Sequence, residues 1–106
     1  MHELKDERGA DALFEASEAV LLKHGAHCII SAGAREEIAA FEEAHPRTEV
    51  FAVEVTGQRD LSDQLATRLG VRHQSPQVFV LRRGAVTWHA THHDITAEAL
   101  EEHTGG

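Results

Sequence analysis

The stretch Lys23-His24-Gly25-Ala26-His27-Cys28-Ile29-Ile30-Ser31 holds the single cysteine of the chain, with Ser31 completing a C-x-x-S pattern. The thiolate is the nucleophilic form of cysteine, and a free thiol with a pKa of about 8.5 is mostly protonated at neutral pH. Cys28 falls where an apolar run ends and a helix is expected to begin. A helix start offers unpaired N–H donors and about half a positive charge, which favour the thiolate. Ser31 falls on the same side of the first turn, where its hydroxyl can donate to the sulfur or cap the helix. Lys23, His24 and His27 precede the cysteine and add positive potential if they face it. With no second cysteine in the chain, any disulfide Cys28 forms is with another molecule, and another thiol must break it. The competing reading is an inert thiol, because free cysteine is among the most buried residue types.

The elements around it follow from periodicity. Leu13, Phe14 and Ser17 place a first helix over residues 10–18. Ala19–Leu22 is a short apolar run that reads as a buried strand. Ile30, Ala34, Ile38 and Phe41 mark an amphipathic helix whose wet face carries Arg35, Glu36, Glu37, Glu42 and Glu43. It stops before Pro46, because the residue ahead of a proline disfavours helical geometry. Val50–Val55 is a nearly continuous apolar strand. Leu61, Leu65 and Leu69 define a further helix with Gly70 as its C-cap. Gln77–Leu81 is another buried strand, Arg82–Gly84 a hairpin turn, and Ala85–Ala90 the last strand. Thr96 caps a short closing helix.

The predicted order is α-β-α-β-α-β-β-α: an α/β fold with a four-stranded mixed sheet and helices on both faces. A cysteine just past the first strand, with Pro76 immediately ahead of the third, gives this plan a thioredoxin-like cast. One domain spanning residues 1–106 is expected, with an ordered core over about 10–103 and fraying at both ends. Ten basic against eighteen acidic residues give a net charge of -8, which argues against binding nucleic acid or an anionic membrane surface. No apolar run approaches the roughly 20 residues that cross a bilayer, and the polar start does not read as a secretory signal, so none is expected. A lone cysteine builds no intrachain disulfide framework, so a cytoplasmic location is expected.

Five stretches make the sequence resemble the monothiol bacilliredoxins, thioredoxin-like proteins of the bacillithiol system: FEASEAVLLKH, CIIS where the family usually has CPIS, GQRDLSDQLATRLGVRHQSPQ, RRGAVTW and ATHHDIT. GVRHQSPQ is the most specific of them. The resemblance implies a thiol–disulfide oxidoreductase with bacillithiol, a small cysteine-containing thiol, as co-substrate and no bound cofactor. Its partners would be bacillithiolated proteins. The family's nucleophile falls on Cys28 and its loop proline on Pro76, preceded by Ser75. His27, Ile29, Ser31, His73, Ser75 and Pro76 are the expected positioning residues. Ile29 replaces the family proline, restoring an N–H donor while adding branched bulk.

Two other readings stay open. A monothiol protein of this kind can hold an iron–sulfur cluster between two chains, although Ile29 and Ile30 depart from the Gly-Phe pair familiar there. A redox-silent partner-binding domain is the other. His89, His92 and His93 fit no standard zinc spacing, and no metal is expected. Trp88 reads as core packing, with a partner groove as the alternative.

Overall fold

The computed structural model describes residues 1–26 and 28–105. His27, one of the expected positioning residues, lies outside the described residues. The chain runs β1 (His2–Glu3), α1 (Glu7–Glu15), β2 (Glu18–His24), α2 (Ile29–Ala44), β3 (Glu49–Glu54), α3 (Arg59–Leu69), β4 (Gln77–Arg82), β5 (Ala85–Thr91), a 3₁₀ turn (His92–Asp94) and α4 (Ala97–His103). The sheet order is β1-β3-β2-β4-β5. β2 is parallel to β3 and antiparallel to β4, and β4 and β5 form the antiparallel hairpin.

The sheet has five strands rather than the expected four. His2 and Glu3 pair in parallel with Phe51 and Ala52, and the Leu4 N–H donates to the Ala52 carbonyl at 2.7 Å. Leu4 is buried, which holds down a start expected to fray. The first helix also begins earlier than its apolar spacing indicates. Asp6 caps it by accepting from the Gly9 N–H, and Ser17 falls beyond its end.

Strand alternation divides the core into two layers. Ala19 and Leu21 of β2 point with Phe51, Val53, Phe79 and Leu81 toward Leu13 of α1 and Leu61, Leu65 and Leu69 of α3. Val20 and Leu22 point with Val50, Ala52, Val78 and Val80 toward Ala34, Ile38 and Phe41 of α2 and Leu100 of α4. The central strands are apolar on both faces because helices cover both.

β2 runs past Leu22, where its apolar run stops, through Lys23 and His24, which pair with Val53 and Glu54 of β3. Both side chains are buried. The Gly70 C-cap takes the left-handed conformation at φ 69° that its helix end requires, and Thr96 accepts from the Ala99 N–H at the start of α4.

Candidate active site

Cys28 is the N-cap residue of α2, with extended backbone, and it is exposed. The expectation of a thiol buried in the core is therefore not met. At this position the sulfur meets the first free N–H groups of the helix. Those of Ser31 and Ile30 hold the thiol below its ordinary pKa, in that order of effect, with the Ser31 hydroxyl and the Arg35 guanidinium acting in the same direction. A lowered pKa raises the thiolate fraction at neutral pH.

Ser31 is fully buried. Its Oγ accepts the Gly25 N–H at 3.0 Å, which leaves its own O–H free to donate toward the sulfur. Arg35 lies one turn further along α2. Its Nη1 donates to the Gly25 carbonyl at 3.0 Å and lies 3.2 Å from His24 Nδ1. Gly25 is thus held through its N–H by Ser31 and through its carbonyl by Arg35, and the turn from β2 into α2 is fixed at both ends. Glu54, at the end of β3, accepts the Ala26 N–H at 3.0 Å and also the N–H groups of Thr56 and Gly57. These donors, Gly57 first, keep the Glu54 carboxyl below its ordinary pKa and so ionised.

A methyl group built on Gly25 would lie 3.7 Å from Cys28 Cβ, 3.8 Å from Ser31 Oγ and 3.9 Å from Ser75 Oγ. Three of the expected site residues therefore converge around one glycine. The Ser75–Pro76 peptide is cis and Pro76 is buried. Its carbonyl accepts the His92 N–H at 3.1 Å, so the backbone of His92 braces the proline loop. Gln77 braces it from the other side. Its side chain accepts from the Gln74 N–H and donates to the Arg72 carbonyl, each at 3.1 Å.

Ile29, the residue that replaces the family proline, is 89% exposed beside the thiol. His73 lines a pocket with Val55, Thr56, Arg59, Ser62 and Asp63. Partial burial and the nearby Lys23 lower its pKa, with Asp63 opposing. The positive potential anticipated from Lys23 and His24 does not reach the sulfur. Alternation turns Lys23 toward the α3 face, and burial, foremost among the influences on His24, lowers its pKa and leaves it neutral. Arg35 supplies the charge instead. Trp88 is half-buried, packed on the α2–α4 side of the core and stacked on His103 with centroids 4.5 Å apart.

A family model described as Monothiol bacilliredoxin BrxC matches residues 2–100. The chain belongs to the monothiol bacilliredoxin family. It is also similar to the solved structure of a candidate oxidoreductase with a thioredoxin fold, at 29% identity and a TM-score of 0.90, over 95% of this chain and 90% of that one. Fasciola hepatica thioredoxin superimposes at a TM-score of 0.78 and 14% identity, over 98% of this chain and 100% of that one. Mitochondrial thioredoxin 3 from Saccharomyces cerevisiae gives 0.77 and 13%, over 96% and 91%. These two thioredoxins show the shared fold alone. Family and 29% identical relative together support a thiol redox role for this bacilliredoxin.

Ser31 is the residue whose removal isolates the tuning of the thiol. Ser31→Ala removes the hydroxyl donor from the sulfur and leaves the Gly25 N–H without its acceptor. The pH midpoint of iodoacetamide labelling at Cys28 is expected to move upward, with labelling at pH 6 slowed by about fivefold as the thiolate fraction falls. An unchanged midpoint would show that the backbone donors alone set the pKa.

Proposed function

We propose that this bacilliredoxin is an enzyme that removes bacillithiol, or a closely similar small thiol, from oxidised protein cysteines in the reducing cytoplasm. The observation that carries this reading is the exposed Cys28 sulfur at the start of α2, with the Ser75–Pro76 loop beside it. The Cys28 thiolate attacks the small-thiol sulfur of a protein mixed disulfide. A new S–S bond forms to Cys28 as the old one breaks, and the protein thiolate leaves and takes a proton from solvent. A second small thiol, as its thiolate, attacks the sulfur attached to Cys28. The Cys28 thiolate is released and a symmetrical small-thiol disulfide departs. The sulfur of the second small thiol passes from the thiol to the disulfide level as the protein sulfur returns from the disulfide to the thiol level, and the chain ends as it began.

In this scheme the helix start stabilises the Cys28 thiolate both as attacking group and as leaving group. The backbone of the loop ahead of Pro76 lies where it can run alongside the bound disulfide partner. Ile29 gives the entrance an apolar lip.

Intact mass after parallel incubation with oxidised bacillithiol and oxidised glutathione tests the reading. A bacillithiol adduct on Cys28, formed at least about tenfold faster than the glutathione adduct, is expected. Equal rates would remove the small-thiol assignment. No adduct from either would remove the exchange chemistry itself.

A further inference from the structure

Among the buried polar atoms with no hydrogen-bond partner among the described residues are Lys23 Nζ, Ser62 Oγ and His24 Nε2, all at the same end of the sheet. Lys23 is 0% exposed and Ser62 is 2% exposed. A buried ammonium and a buried hydroxyl are each costly unless paired. A helical serine commonly donates to the carbonyl four residues back, but in α3 the Gln58 carbonyl accepts the Ser62 backbone N–H at 2.8 Å while the side chain stays free.

Ser62 opens onto a pocket of about 350 Å³ that it shares with Val55, Thr56, Arg59, Asp63 and His73. Lys23 shares the strand face of Leu21, the face covered by α3, and its charge is felt by both Asp63 and His73. Arg59, in the first turn of α3, is exposed and has no ion-pair partner among the described residues. Arg59 and Asp63 line the pocket with opposite charges, Lys23 adds a buried positive charge behind it, and the Glu54 carboxylate is engaged by the Ala26, Thr56 and Gly57 N–H groups.

The pocket lies at the same end of the sheet as the thiol. Its Val55–Thr56 wall continues from β3, where the Val55 N–H donates to the His24 carbonyl at 2.9 Å. Glu54 ties that wall to the turn before Cys28 through the Ala26 N–H. On the other side, His73 leads directly into the Ser75–Pro76 loop.

We infer that the pocket between α3 and the loop ahead of Pro76 binds a carboxylate of the small-thiol co-substrate, with Lys23, Ser62 and Arg59 as its donors. This rests on the small-thiol reading of Cys28, but its test does not. Succinate, with no sulfur, serves as the probe, and uncharged succinamide is the control. In ¹H–¹⁵N spectra of the whole chain, succinate is expected to shift the amides of Val55, Thr56, Ser62, Asp63 and His73 saturably. Succinamide is expected to leave them in place. Ser62→Ala and Arg59→Gln should each weaken succinate binding by about five- to tenfold, and Lys23→Met should abolish it. Should Lys23→Met not fold, the other two variants carry the test. Absence of saturable shifts, equal shifts with succinamide, or undiminished binding in Ser62→Ala and Arg59→Gln would overturn the assignment. A functional arm separates this result from the exchange chemistry. Cys28 should form its adduct from cystine faster than from cystamine, which lacks the carboxylates, and that preference should fall about fivefold in Arg59→Gln. Adducts formed at equal rates, with no succinate binding, would leave the exchange reading standing and sink the carboxylate pocket alone.

Discussion

Cys28→Ser is expected to abolish reduction of a bacillithiol-capped test protein, a loss of at least about 10³-fold, while leaving the fold intact. The loss is large because the step requires a sulfur that can both attack a disulfide and become part of one. A serine hydroxyl is not ionised at neutral pH, and an oxygen in that place forms no S–S bond. The chain holds no second cysteine to take over. The stability should hold because Cys28 is exposed at the helix start, and serine is itself a favoured N-cap residue that accepts from the same free N–H groups. Surface substitutions of this kind usually change stability by less than about 0.5 kcal/mol. The two measurements belong together: a steady-state reduction assay and a thermal melt on the same preparation. A variant that melts like the parent yet retains full activity would show that Cys28 is not the nucleophile.

How far the sequence leads to this site depends on the range of the interactions involved. The strand-to-helix position of Cys28, the C-x-x-S spacing and Pro76 ahead of a strand are local signals, and each is readable along the chain. The two-sided core is equally readable, since apolar runs such as Ala19–Leu22 and Val50–Val53 announce strands covered on both faces. β1 is not readable in that way. Two residues carry no period, and His2–Glu3 becomes a strand because Phe51 and Ala52 present a free edge to it. Arg35 and Glu54 escape for the same reason. By spacing, Arg35 belongs to the wet face of α2 and Glu54 to the end of a strand. Their work is done on backbone groups distant in sequence, the Gly25 carbonyl and the Ala26 N–H. Lys23 escapes for a different reason. A lysine after an apolar run reads as the strand's exit into solvent, yet pairing to Gln77 on one side and Val53 on the other carries it inside.

Lys23→Met should stabilise the protein by about 2–3 kcal/mol at pH 7, a rise in Tm of roughly 10 °C for a domain of this size. Burial lowers the Lys23 pKa from 10.5 to about 8, with Asp63 opposing the shift. At ~1.4 kcal/mol per pH unit, holding the protonated form inside costs about 3 kcal/mol. Methionine fills a similar length with an apolar chain and removes that cost. The pH dependence supplies an internal check. Below pH about 8 the lysine is protonated in both folded and unfolded chains, and the cost is present in full. Between about 8 and 10.5 the unfolded chain holds the proton that the folded chain has released, so stability of the parent rises with pH. Above 10.5 the rise ends. The Met variant lacks this rise, and the two stabilities should converge in alkaline solution. Few other groups blur the window, since the chain has no tyrosine and Lys5 is its one other lysine. Urea melts of both proteins at pH 7 and pH 10.5 read the effect directly. A Met variant less stable than the parent at pH 7 would mean that the ammonium is paired after all. The expected gain in stability is opposite in sign to the expected loss of carboxylate binding. That opposition is what a buried charge kept for a ligand produces and a charge kept for the fold does not.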